Sequence, residues 1–191
     1  MNGTRRRSIF RRRQSGQTDY HRRLKLLRGK KARAVVRVSN TRVTCQMVNW
    51  SAGGDMVIAS VTGSDLAKKY DWPADFSQKS IPASYLVGYA LGKEAVSKGC
   101  SEAVLDIGLA GSTPGGRVFS ALKGMVDAGV EIPHSADILP EDDRLNGEHI
   151  SDKVSAAVES TKNKICLLYT SDAADERLGV VVGGGGGGGG G

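Results

Sequence analysis

Between Ala32 and Val61 apolar residues recur at every second position, and that period leaves a β-meander as the fold of this stretch. Ala34, Val36 and Val38 alternate with Arg33, Val35 and Arg37, and Ser39-Asn40 then turns the chain. Val43, Cys45 and Met47 alternate with Arg42, Thr44 and Gln46, and Gly53-Gly54-Asp55 turns it again into Met56 to Val61. Three antiparallel strands follow, with one apolar face and an outer face carrying Arg33, Arg37, Arg42 and Gln46.

Around this meander the period changes to that of helices. Thr18 caps a short helix with Asp19 in its first turn; Tyr20, Leu24 and Leu27 share one face, Arg22, Lys25 and Arg28 the opposite one, and Gly29 stops it. Asp65 to Tyr70 reads as a second short helix, followed by a loop around Trp72-Pro73. Pro82 suits the first turn of a helix running to about Lys98 and closed by Gly99. Its buried face is Leu86, Val87, Ala90, Leu91 and Ala95, with Gly88 and Gly92 allowing close approach to the sheet. Glu102 to Ile107 is a short strand after a helix, so a right-handed crossover should lay it parallel to a neighbour. A Gly-rich loop, Gly108 to Gly116, leads into a helix from Arg117 to Ala128, and a last amphipathic helix spans about Ile150 to Thr161. The expected architecture is α/β: a mixed sheet with an antiparallel three-stranded meander plus a parallel strand, helices packed on it, and a basic N-terminal extension.

Charge divides the chain unevenly. Residues 1–42 hold fifteen of its 27 Lys and Arg but only one of its 20 acids, Asp19, so a +14 segment precedes a remainder of −7. Such asymmetry points to a polyanionic partner. The basic residues run on from the clusters Arg5 to Arg7 and Arg11 to Arg13 into a predicted helix and strand, which a merely solubilising tail has no reason to do. Residues 1–17 are expected to be a flexible basic arm for that polyanion and residues 18–165 one folded domain.

Several classes of function are disfavoured. No run of eighteen apolar residues is present to span a membrane, and no apolar block follows the first arginines to make a secretory signal, so the expected place of action is the cytosol. Cys45, Cys100 and Cys166 show neither CxxC spacing nor paired histidines, which argues against a zinc site or a disulfide framework; Cys45 and Cys100 read as small buried residues. The loop GLAGSTPGG lacks the lysine of a P-loop and the spacing of a dinucleotide fold, so a plain turn is favoured over a nucleotide enzyme using residues 108–116. Asp106 is read as bonding the loop amides. His21, His134 and His149 stand on separate elements with no nucleophile beside them, and no catalytic residue, metal or cofactor is expected.

The end of the chain is of another kind. Nine consecutive glycines from Gly183 have no periodicity, and Cys166 to Glu176 back-translates to the transposase adapter of a common sequencing-library method. Residues 166–191 are therefore expected to be a non-native adapter and poly-Gly tail, with the natural C-terminus lying beyond about Ile165.

The run Thr18-Asp19-Tyr20-His21-Arg22-Arg23-Leu24, the segment VRVSNTRVTCQMV from Val36, and AVLDIGL followed by STPGGRVFSALKGMVDAGVEIPHS from Ser112 together resemble the large-subunit ribosomal protein L-eighteen family. The archaeal type, with its eukaryotic counterpart L-five, fits better than the bacterial form. The resemblance covers roughly residues 10–150; it departs at Gln17, where the family commonly has a basic residue, and in lacking an acidic helical C-terminal extension. It implies a structural ribosomal protein that binds 5S rRNA and helps attach it to 23S rRNA in the central protuberance, beside other large-subunit proteins. The RNA-binding residues would be Arg5, Arg6, Arg7, Arg11, Arg12, Arg13, Arg22, Arg23, Lys25, Arg28, Lys30, Lys31, Arg33, Arg37, Asn40 and Arg42. Another basic nucleic-acid-binding protein is the alternative.

Overall fold

A computed structural model describes residues 8–178. Its centre is a four-stranded sheet in the order β3-β2-β1-β4, with β1 at Ala32–Val38, β2 at Val43–Ser51, β3 at Gly54–Thr62 and β4 at Ala103–Asp106. The first three strands form the expected meander, and β4 lies parallel to β1. The Ser39 hydroxyl holds the first turn by accepting from the Arg42 amide at 3.0 Å and donating to the Arg42 carbonyl at 2.8 Å. The β2–β3 register shifts at Met47/Val48, where Ile58 of β3 is the extra residue, while β2 keeps its alternation against β1; Val48, the partner of Arg33, is buried on the outer face and Met47 on the inner.

Two helices pack on the apolar face: α4 at Ile81–Ser97, and α5 at Arg117–Asp127. All five residues expected on the inner face of α4 are buried, but so is nearly every residue from Pro82 to Gly92. The reason is position: α4 sits between the sheet, α5 and the C-terminal helix α7, Asp152–Leu178, so it has no free side. Gly88 and Gly92 accordingly face α5 and not the sheet. A Cβ on Gly88 would lie 2.1 Å from the Ala121 carbonyl oxygen, and one on Gly124 2.2 Å from that of Tyr85, so the two backbones touch where both side chains are missing. Met47, Leu86, Leu91, Leu122 and Met125 fill the core beneath.

The remaining elements differ from expectation in detail. In α2, Tyr20–Arg28, the cap is Asp19, one residue later than Thr18, because its carboxylate reaches the His21 and Arg22 amides at 3.0 and 3.1 Å. In α3, Gly63–Lys69, Thr62 is the cap and Asp65 completes a capping box from the third position, so the helix starts before Asp65. A four-residue helix, α1 at Arg11–Gln14, stands within the stretch expected to be a flexible arm, and Phe10 packs on Tyr20 with ring centroids 5.2 Å apart. Between α5 and α7 lie a 3-10 turn at Ala136–Ile138 and a short helix, α6, at Asp142–Asn146. Helix α7 continues past Thr161: Ile165 is buried and the Tyr169 hydroxyl bonds that of Tyr70 at 3.0 Å. Cys45 is buried, and burial pushes its thiol up to about 12, whereas Cys100 is only partly covered. His134 occupies a loop with its Nδ1 2.7 Å from the Ile132 carbonyl.

Candidate nucleic-acid interface

The outer face of the sheet is organised by register. Asp106 is the cross-strand partner of Val35, so it stands between Arg33 and Arg37 on the same face. Arg33 donates from Nη1 to Asp106 Oδ2 at 2.7 Å and from Nη2 to Asp55 Oδ2 at 2.6 Å; Arg37 donates from Nη2 to Asp106 Oδ1 at 2.9 Å. Arg37 Nη1 also bonds the Asp106 carbonyl at 2.7 Å, and the Gly108 amide donates to Asp106 Oδ1 at 2.9 Å. Burial works to raise the Asp106 pKa, but the Arg37 charge and the bonds from Arg37, Gly108 and Arg33 overcome it and hold the carboxyl below the usual aspartate range. The expected bond from Asp106 to the loop amides is thus present, within a larger ionic network.

Gly108 is required where it stands. Its φ is +61°, and a Cβ there would come within 2.7 Å of the Arg37 guanidinium carbon.

This network fastens α2 over the sheet. Arg23 donates from Nη2 to both oxygens of Asp55, at 2.9 and 2.8 Å, and Arg22 Nη1 donates to the Gly108 carbonyl at 2.5 Å. Tyr20, Leu24 and Leu27 do share a side of α2, yet none is buried, and Leu24 is 51% exposed. Docking of this helix therefore leans on charged contacts more than on apolar burial. Beside it a cleft of about 250 Å³ is walled by Arg12, Arg22, Arg23, Arg37, Asp19 and Asp106, among others. Both carboxylates there are already satisfied, Asp19 by helix amides and Asp106 by its arginines, so the cleft offers cationic groups to an incoming anion.

The structure sorts the sequence-derived site residues into two groups. Arg11, Arg12, Arg13, Lys25, Arg28 and Lys30 are exposed with no ion-pair partner among the described residues; Arg22 bonds only carbonyl oxygen, and exposed Arg42 bonds only the Ser64 hydroxyl at 3.3 Å. Arg23, Arg33 and Arg37 are paired with Asp55 and Asp106, and Lys31 with Glu102 at 2.8 Å. Arg33, expected on an open basic face, lies on that face but is 3% exposed beneath the network. The Asn40 carbonyl accepts from Lys79 Nζ at 2.6 Å. Arg5, Arg6 and Arg7 lie outside the described residues. Sequence reading passed over Lys79, Arg117 and Arg144, which come from three separate segments and meet around the 112–116 loop. It also passed over Trp50, which is 61% exposed opposite Asp55 on β3. Among the described residues, no group of three or more His, Cys, Asp and Glu could hold a metal, and no helix is long and apolar enough to cross a membrane.

A family model described as ribosomal large subunit proteins 60S L5 and 50S L18 matches residues 4–101 and 97–135. Large ribosomal subunit protein uL18 of Korarchaeum cryptofilum is 47% identical over 142 residues, covering 74% of this chain and 71% of its own. The protein of the same name from Aeropyrum pernix is 46% identical over 157 residues, 82% of this chain and 72% of its own. That from Methanothrix thermoacetophila is 41% identical over 158 residues, 83% of this chain and 92% of its own.

Proposed function

The chain belongs to the family of large-subunit ribosomal proteins 60S L5 and 50S L18, and from that membership and its unpaired cations we propose that it binds 5S rRNA and helps attach it to 23S rRNA in the central protuberance. As a family member it is a structural constituent of the cytoplasmic ribosome's large subunit, not an enzyme. The observation that carries the finer reading is the set of cations on and around α2 with no ion pair among the described residues, held to a rigid sheet by the Arg23–Asp55–Arg33–Asp106–Arg37 network. Unpaired cations gain affinity by displacing counterions from phosphates, while a fixed array of them can match one RNA contour. Arg12, Arg22, Lys25, Arg28 and Lys30 make the direct phosphate contacts; Arg33 and Arg37 keep the platform in shape beneath them. The basic N-terminal residues add contacts to 23S rRNA and neighbouring large-subunit proteins.

The test is a salt series with 5S rRNA and an unrelated structured RNA of equal length. Replacing Arg22 and Arg28 by Gln lowers 5S affinity and flattens the slope of log affinity against log salt by about 1.4–1.8 for two lost phosphates. An unchanged slope at unchanged fold refutes the role of α2.

A further inference from the structure

The 108–116 loop is the sequence motif that the proposed interface leaves largely unused. Gly108 walls the cleft beside α2, but the rest of the loop turns to two adjoining clefts of about 520 and 500 Å³. These share Lys79, Thr113, Gly116 and Arg117; the first reaches Asn40 and the second reaches Arg144 and His149. Among the described residues, no carboxylate stands in the wall of either.

That composition runs against the charge of this part of the chain. Residues 43–191 hold twelve Lys and Arg and nineteen Asp and Glu, yet three of the twelve converge here with none of the nineteen. Several structured cations elsewhere are paired with carboxylates, as Arg33 is with Asp106, Lys98 with Glu94 and Lys123 with Asp127. Arg117 and Arg144 have no ion pair among the described residues, and Lys79 bonds only the Asn40 carbonyl, which leaves its charge uncompensated. Cations gathered in a concave wall repel one another and raise the local potential, an arrangement that becomes favourable when a polyanion enters.

We propose that the paired clefts of Lys79, Arg117 and Arg144 bind a stretch of RNA phosphodiester backbone, extending the RNA-binding surface from α2 around the 108–116 loop. Arg117 lies in both clefts, so a strand running from one to the other passes it, with Lys79 between them and Arg144 at the far side. His149 adds a hydrogen-bond donor beside Arg144. The inference rests on the RNA-binding reading above, while its residues are separate from those of α2.

The experiment compares the full chain with a Lys79→Gln, Arg117→Gln, Arg144→Gln variant, binding 5S rRNA and 23S rRNA in separate salt series. Loss of three phosphate contacts makes the slope of log affinity against log salt shallower by about 2–2.7. The effect appears with whichever rRNA supplies the backbone: with 5S alone the surface extends the first contact, and with 23S alone it is a second RNA's site. Acetylation of Lys79 in the unaltered chain, read by mass spectrometry with and without each RNA, gives the same answer should the variant fold poorly; bound RNA protects Lys79 but not Lys123. Unchanged affinity and slope with both RNAs, together with unprotected Lys79, overturns the inference. If the unaltered chain binds rRNA no better than an unrelated structured RNA, the 5S reading fails instead, and a slope still lowered by the variant keeps the cleft as a general phosphate site.

Discussion

Replacing Asp106 by Asn should destabilise the fold far more than an ordinary surface change. The Arg33 guanidinium is 3% exposed and ends on two carboxylates, Asp106 at 2.7 Å and Asp55 at 2.6 Å. Removing one partner of a buried ion pair costs about 3–5 kcal/mol, because a charge is left in a poorly solvated place. Here Asp55 remains and the amide oxygen of Asn can still accept a hydrogen bond, which brings the expected loss to about 2–3 kcal/mol. Arg37 adds little, since its side chain is 47% exposed and solvent screens such pairs to about 0–1 kcal/mol. For a chain of this length a loss of that size lowers the melting temperature by about 4–12 °C. Urea and thermal unfolding followed by circular dichroism measure both numbers, with Arg37→Gln as the comparison, expected to lose under about 1 kcal/mol. If Asp106→Asn melts within about 2 °C of the parent, or no lower than Arg37→Gln, the buried network is not what holds the outer face.

Stability should also fall in acid. The folded-state pKa of Asp106 is below its ordinary 3.8, so its contribution is fully present above that value and is lost as pH drops through the lower, folded pKa; Asp106→Asn should flatten this part of a stability–pH profile, and a parallel profile would contradict the assignment. Gly88→Ala drives a Cβ to 2.1 Å from the Ala121 carbonyl oxygen and should lose about 1–3 kcal/mol, or more, in urea melts; a neutral effect would mean α4 and α5 are further apart than described. Ending the chain at Ile165 removes the Tyr169–Tyr70 and Cys166–Tyr89 hydrogen bonds, a loss of about 1–3 kcal/mol, but no cluster of cations, so RNA affinity should stay within about twofold.

Period-two alternation made the meander and the partition of its faces readable in advance. Arg33, Arg37 and Gln46 were placed on the outer face by that alternation alone, and the register bears the placement out. What alternation does not carry is the cover: Asp106 joins Arg33 from 73 residues away and Asp55 from 22, and α2 closes over them through Arg23. An arginine read as open for RNA was therefore one already holding two carboxylates. Gly88 and Gly92 were correctly read as packing glycines, but their partner depends on how α5 folds back, which local spacing does not contain. Lys79, Arg117 and Arg144 were invisible as a group because each is a lone cation in its own segment. They become a surface only when the 108–116 loop and α6 meet over the start of α4.

The most direct measurement is selection from total RNA: the full chain, immobilised, is exposed at physiological salt to RNA extracted from archaeal cells, and the retained species are sequenced and counted. The expected result is enrichment of 5S rRNA well beyond its share of the input, with 23S rRNA segments next. Retention in proportion to input abundance, or equal retention of duplex DNA in competition, would contradict it and leave a basic protein with no chosen RNA.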